Sequence, residues 1–244
     1  MSKLDELISD MHGGDSSLVC EAIESIIGMA KERKKIKKAV PALIKALDDS
    51  NQEIVCLAAE ALGYVKDKSA VPALLRVWNP SNLNTDDECY PDGYIITALG
   101  RIGDRKAVLP LLGALKLKDI LIQNVVLITT ALGRIGDASV VQDLIYQLND
   151  ENQNVRETAF ETLAGSNWKG SVSINLKEVE KALKEFVAAT EDKQSAKKKA
   201  AECYAKIAQL VSKGRKKINM PGELLPDKPK PPKGTFRQRR RAHA

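Results

Sequence analysis

Ten basic side chains crowd the last 31 residues of this 244-residue chain: Arg215, Lys216, Lys217, Lys228, Lys230, Lys233, Arg237, Arg239, Arg240 and Arg241, against Glu223 and Asp227. The segment carries +8, while residues 1–213, with 28 basic and 30 acidic side chains, carry −2, so the net +6 is set entirely at the C-terminal end. Guanidinium and ammonium groups in such a run pair with phosphates, and counterion release makes the pairing salt-dependent and blind to base sequence. Phe236, beside Arg237-Gln-Arg-Arg-Arg241, offers a ring on which a base can stack. Five prolines (221, 226, 229, 231 and 232) and few apolar residues leave nothing from which a core can be built. An extended basic arm over 214–244 is expected, suited to RNA or a ribonucleoprotein particle. An acidic protein surface, an import-like address and an inert solubilising tail compete with that reading.

The residue types that make and break bonds are sparse. Only His12 and His243 exist, so no histidine dyad or multi-histidine metal site fits inside the body. Cys20, Cys56, Cys89 and Cys203 form no CxxC pair. Cys20 and Cys56, six residues before Ile26 and Leu62, are expected to be small buried thiols in a reducing compartment. Asp86, Asp87 and Glu88 lack the spacing and terminal glutamate of a calcium loop. No glycine-rich phosphate loop appears. The expectation is a non-catalytic chain with no metal and no cofactor.

The elements that would position a binding surface are written as a repeat. Ala98-Leu-Gly-Arg-Ile-Gly-Asp104 returns as Ala131-Leu-Gly-Arg-Ile-Gly-Asp137, with a looser copy at Ala61-Leu-Gly-Tyr-Val-Lys-Asp67. A second phrase alternates with it: Ala39-Val-Pro-Ala-Leu-Ile-Lys-Ala-Leu47, Ala70-Val-Pro-Ala-Leu-Leu-Arg-Val-Trp78, Ala107-Val-Leu-Pro-Leu-Leu-Gly-Ala-Leu115 and Val140-Val-Gln-Asp-Leu-Ile-Tyr-Gln-Leu148. Ile26, Leu62, Leu99, Leu132 and Leu163 recur at spacings of 36, 37, 33 and 31. Two phrases per period, each with apolar residues at helical steps, predict two helices per repeat. Alanines 58, 59, 98, 131 and 159 allow close helix approach.

Pro41 and Pro72 are expected in first helical turns, with Pro110 one position later. Gly63, Gly100 and Gly133 follow the last core leucine and are expected to supply left-handed helix ends. Asp67, Asp104 and Asp137 precede the next helix, where a capping role is the expected one.

On the Ala-Val-Pro-Ala-Leu phrase followed by Ala-Leu-Gly-x-Ile-Gly-Asp, residues 17–165 resemble the HEAT-like repeat family, in particular the short bacterial type first associated with phycobilisome lyases. The resemblance implies an all-α, right-handed α-solenoid, here of about five to six antiparallel helix pairs. It also implies roles ranging from scaffold and adaptor to chromophore-lyase subunit. The His-Glu pairs of metal-dependent hydroxylases built on similar repeats are missing from this chain.

The expected organisation is a cap with a basic linker over 1–38, repeats over 39–165, a capping helix pair over 166–213, and the arm over 214–244. Asn175 and Glu178 have the spacing of a capping box. No run is long and apolar enough to span a membrane, and the opening residues do not read as a signal segment, so a cytoplasmic chain is expected. The candidate protein-binding surface is the row of second helices, with Tyr64, Arg101 and Arg134 at equivalent positions and Tyr94, Thr97 and Thr130 beside them. The insertion 79–93, with Asp86, Asp87, Glu88 and Tyr90, is a second candidate contact. The favoured reading is a protein-binding scaffold anchored to RNA by its arm. A bilin-lyase-like or assembly-chaperone subunit, and a protein adaptor with an inert tail, are the alternatives. Removing 215–244 is expected to leave helix content and melting nearly unchanged while abolishing salt-sensitive RNA retention.

Overall fold

The computed structural model describes residues 2–32, 36–84, 91–117, 120–170, 174–211 and 224. Within them lie twelve α-helices: α1 Lys3–Asp10, α2 Ser16–Lys31, α3 Val40–Ala46, α4 Gln52–Val65, α5 Val71–Val77, α6 Asp92–Ile102, α7 Val108–Ala114, α8 Ile122–Ile135, α9 Val141–Gln147, α10 Gln153–Gly165, α11 Leu176–Ala189 and α12 Lys193–Val211. They pair in chain order into six hairpins, and the even-numbered helices pack on one another from α2 through to α12. The odd-numbered helices of the repeats are one turn shorter or more and contact mainly their own partners. The result is an α-solenoid whose tight row is the even-numbered one. Leu43, Leu62, Leu74, Leu99, Leu111, Leu132, Leu144 and Leu163 run through it as one continuous buried core.

Local chemistry explains each hairpin. Asn51 and Asn152 cap α4 and α10, accepting from Glu53 N–H at 3.0 Å and Asn154 N–H at 2.9 Å. Asp67, Asp104 and Asp137 each cap a one-turn 3₁₀ segment that leads into the next odd-numbered helix, accepting N–H bonds at 2.9–3.0 Å from Ser69, Lys106 and Ser139. Pro41, Pro72 and Pro110 sit in first turns, where no intrahelical donor is lost. At α11 the expected capping box is incomplete: Asn175 accepts from Lys177 N–H at 3.1 Å, but Glu178 receives the Asn175 side-chain amide instead of its backbone N–H.

The repeated glycines do a different job from the one their position suggests. Gly63, Gly100 and Gly133 lie inside α4, α6 and α8, and the left-handed ends are Lys66, Gly103 and Gly136, three residues later. A Cβ on Gly100 would stand 2.8 Å from Cα of Ala131, and one on Gly63 would stand 2.9 Å from Cα of Ala98. Glycine on one helix and alanine on the next therefore set the spacing of the tight, even-numbered row, the inner row of the stack as against the outer row of odd-numbered helices. Sequence position marks a helix end to within a turn, and here the missing side chain is needed for contact between helices.

The insertion after α5 is anchored at both of its described ends. Leu83 is buried, and its carbonyl accepts from Leu121 N–H at 3.0 Å and from the Asn124 amide at 2.9 Å, tying it to the start of α8. Asp92 opens α6 where the sibling helices carry Val55 and Val125. Burial pushes its carboxyl above the ordinary range, against hydrogen bonds from the Asn82 side chain (3.1 Å) and Asn79 N–H (3.0 Å) that favour the charged form. Trp78 replaces a core leucine and is buried, as its position in the phrase predicts, with its indole N–H unpartnered.

The thiols are not uniformly buried. Cys20 and Cys56 are half-buried, against the expectation of full burial, while Cys203 is buried with its thiol pushed up to about 12 by loss of solvation. Beyond Val211 the one described residue is Leu224, which is 1% exposed and joins the hydrophobic core. The basic residues of the arm lie outside the described residues, as do Asp86, Asp87, Glu88, Cys89 and Tyr90.

Candidate protein-binding surface

The inner row carries the predicted ladder, but its members do different things. Tyr64 on α4 and Arg101 on α6 come together. The guanidinium lies 4.2 Å from the ring centroid and also donates to the Tyr64 hydroxyl at 3.3 Å. Lys31 of α2 approaches the same ring at 4.9 Å, so Tyr64 sits between two cations from neighbouring helices. A cation over an aromatic face is worth about 0.5–2 kcal/mol, and here it joins three successive hairpins. Tyr94, Thr97 and Arg101 fall three and four residues apart on α6, hence on one face. Tyr94 is 44% exposed and Thr97 is half-buried.

Arg134 is not in that stack. Its side chain is exposed and makes no ion pair or hydrogen bond among the described residues. It lines a groove of about 820 Å³ between α8 and α10, together with Thr130, Gly133, Glu157, Thr158, Glu161, Thr162, Ser166, Asn167 and Lys169. The groove has a sequence cause. Ala98 and Ala131, which receive the glycine of the preceding helix, are replaced at the next equivalent position by Thr162. A Cβ on Gly133 would collide with the Thr162 methyl group and Ser166 Oγ, so the bare α-carbon is what lets these two side chains pack against α8 at the floor of the groove.

One wall of the groove is the segment after α10, where the repeat phrase breaks off. Lys169 N–H donates to the Gly136 carbonyl at 2.6 Å, and Ala138 N–H donates to the Lys169 carbonyl at 3.0 Å. The Trp168 indole N–H donates to the Leu163 carbonyl at 3.2 Å. These bonds fix the backbone of the segment where the repeat phrase breaks off. Thr162, Ser166, Asn167 and Lys169 are groove residues that sequence reasoning missed, and the loss of the phrase's alanine at 162 was the available signal.

Electrostatics stiffens the same region. Burial pushes the Asp137 carboxyl up, but hydrogen bonds from Arg105 and Ser139 outweigh it and hold the group below the usual carboxylate range. Arg105 reaches it from the preceding repeat, as Lys37 reaches Asp67 at 3.5 Å. Since the folded value lies below the unfolded one, about 3.9, the stabilisation is present above that value and is lost as pH falls through the folded one. Arg105→Ala is expected to raise the Asp137 value and to move the onset of acid unfolding to higher pH. Carboxyl-carbon NMR titration of Asp137 beside circular dichroism checks this. An unmoved Asp137 titration contradicts the pairing.

Among the described residues no group of three or more His, Cys, Asp or Glu side chains could hold a metal ion, and no helix is long and apolar enough to cross a membrane. What the body presents is an extended surface of stacked helices, the kind on which repeat proteins hold other chains.

The architecture, with its glycine–alanine seam, is an α-solenoid of stacked helical hairpins, the fold of HEAT and armadillo repeat proteins. The family model for HEAT repeats matches residues 4–84, which span the first two hairpins and the opening of the third. Among solved structures, a chain from the complex of CpcE and CpcF of phycocyanin lyase from Nostoc sp. PCC7120 is similar at 20% identity and TM-score 0.51, covering 87% of this chain and 95% of that one. A computationally designed armadillo repeat protein for modular peptide recognition is similar at 18% identity and TM-score 0.52, covering 82% of this chain and 99% of that one. At such identities the likeness is one of fold. No curated protein sequence matches the chain significantly.

Proposed function

We propose that the protein is a non-catalytic scaffold that holds a protein partner along its inner helix row and is anchored to RNA or a ribonucleoprotein particle by its basic arm. The observation that carries the reading is the unbroken stack from α2 to α12, which offers exposed Tyr94 and uncommitted Arg134 on one continuous surface. Repeat folds of this kind include a designed protein for peptide recognition. The arm supplies a second, electrostatic attachment, and linking two attachments raises effective concentration without any new contact.

The arm is tested by deleting 228–244, which removes seven of its ten cations and keeps Leu224. If each of the seven contributes one phosphate contact to single-stranded RNA, together they account for up to about −5 in the slope of log K against log salt. The deletion is expected to flatten that slope and lower RNA affinity at least tenfold at low salt. An unchanged slope removes the arm from the proposal, leaving a protein adaptor with an inert tail.

A lyase-like or assembly subunit is the second reading, favoured by the near full-length correspondence with a chain of the phycocyanin lyase complex. Visible absorbance in the purified protein, or a chromophore-bearing partner in its native complex, would establish it over the scaffold reading.

A further inference from the structure

We infer that the groove between α8 and α10 is a carboxylate-binding subsite for an extended acidic segment of a protein partner, with Arg134 and Lys169 as its two cations. The inference rests on the protein-binding reading above and names the chemistry of the partner at one place.

The charges in the groove are unequally committed. Glu161 is paired with Lys199 of α12 at 2.6 Å, and Glu157 accepts from the Gln153 amide at 2.8 Å. The Arg134 and Lys169 side chains have no hydrogen-bond or ion-pair partner among the described residues. An amide is neutral, so Glu157 keeps its charge, and the groove is left with two unpaired cations against one unpaired carboxylate, a positive balance. Arg134 offers a planar fork that matches a carboxylate in two-point geometry. Lys169 stands on a backbone pinned by the two bonds to Gly136 and Ala138, so little ordering remains when a ligand arrives.

The lining favours a peptide over a nucleic acid. Glu157 and Glu161 share the groove with the two cations, and a phosphodiester chain with one charge per nucleotide would press phosphates against them. A peptide with spaced carboxylates places charge only where cations stand. Its amide groups then face Thr130, Ser166 and Asn167, whose hydroxyls and amide can donate or accept, and Thr158, whose hydroxyl donates to the Asn154 carbonyl at 2.7 Å and can still accept. The volume lies within the range of binding clefts, about 300–1,000 Å³, and the site is an open groove that a chain can cross. One repeat earlier the equivalent arginine, Arg101, is spent on Tyr64, so the subsite belongs to this step of the solenoid alone among the three helices that carry the Tyr/Arg position.

The test is a ¹⁵N NMR titration of the full chain with an acetylated, amidated (Gly-Glu)₃ peptide. The matching (Gly-Gln)₃ peptide and a six-nucleotide dT strand serve as the other arms. Saturable shifts are expected at Thr130, Gly133, Ser166 and Lys169 with the glutamate peptide only, weakened at least fivefold in Arg134→Gln and in Lys169→Gln. Both side chains are exposed, so the melting of these variants should match the parent. Equal shifts with the glutamine peptide, unchanged affinity in the double variant, or preferential groove binding by dT overturn the subsite. A photo-crosslinking side chain placed at Tyr94, outside the groove, reports separately on the scaffold reading in the native complex. Crosslinks there with a silent groove remove the subsite alone, and silence at both removes the scaffold reading as well.

Discussion

Gly100→Ala is expected to destabilise the protein by about 1–3 kcal/mol, the usual cost of forcing an extra methyl into a packed interior. The substitution should otherwise help, since alanine is about 1 kcal/mol better than glycine within a helix. The sign is decided by the neighbour: the new Cβ would stand 2.8 Å from Cα and 2.9 Å from Cβ of Ala131. A backbone atom cannot swing aside, so α6 and α8 must separate and carry the stack on either side with them. Gly28→Ala, in α2, is the control, because nothing lies within 4 Å of its Cβ position. It should raise stability by roughly 0.5–1 kcal/mol. Thermal melts of the two variants should move in opposite directions, Gly100→Ala falling by roughly 3–10 °C. If both rise, the inner row is not in close contact at this step.

Leu224→Ala is the larger effect, expected to cost about 2–5 kcal/mol by leaving a cavity where a buried leucine was. Leu224 is 1% exposed within the same hydrophobic cluster as the repeats, although it lies 13 residues beyond Val211. Deleting 215–244 therefore removes core as well as charge, and the melting temperature should fall with it. Deleting 228–244 removes seven cations and keeps Leu224. Comparing the two truncations separates the packing role from the electrostatic one. Equal melting for both, with Leu224→Ala neutral, would contradict a packed Leu224.

Much of this structure is legible in the chain. The recurrence of Ala-Leu-Gly and Ala-Val-Pro-Ala-Leu fixes two helices per repeat, and the aspartates after each Gly or Lys are caps where capping chemistry requires them. The glycines were legible as special but not as to why. A bare α-carbon serves a left-handed end and a close crossing equally well, and only the neighbouring helix shows which. The ladder of Tyr64, Arg101 and Arg134 follows from register alone. That two of its members satisfy each other, while the third stays open, depends on an aromatic residue standing one helix before Arg101. Leu83 and the pinned wall at Lys169 escape sequence reading because their partners lie in other repeats, 41 residues away in the case of Leu83 and Asn124, and Asp92 escapes it because its partners come from the irregular insertion of its own hairpin. Leu224 escapes it for a related reason: a single apolar residue in a proline-broken basic stretch carries no periodicity to announce its burial.

The outer row is not featureless, since Leu109 on α7 and Tyr146 on α9 are largely exposed. That gives the account its most direct test, because nature has placed a tyrosine on each row. Hydroxyl-radical footprinting of the native complex against the free protein should show Tyr94 losing reactivity while Tyr146, 82% exposed, keeps it. Protection of Tyr146 with Tyr94 unchanged would place the partner on the outer helices and contradict the inner-row surface on which the proposed function depends.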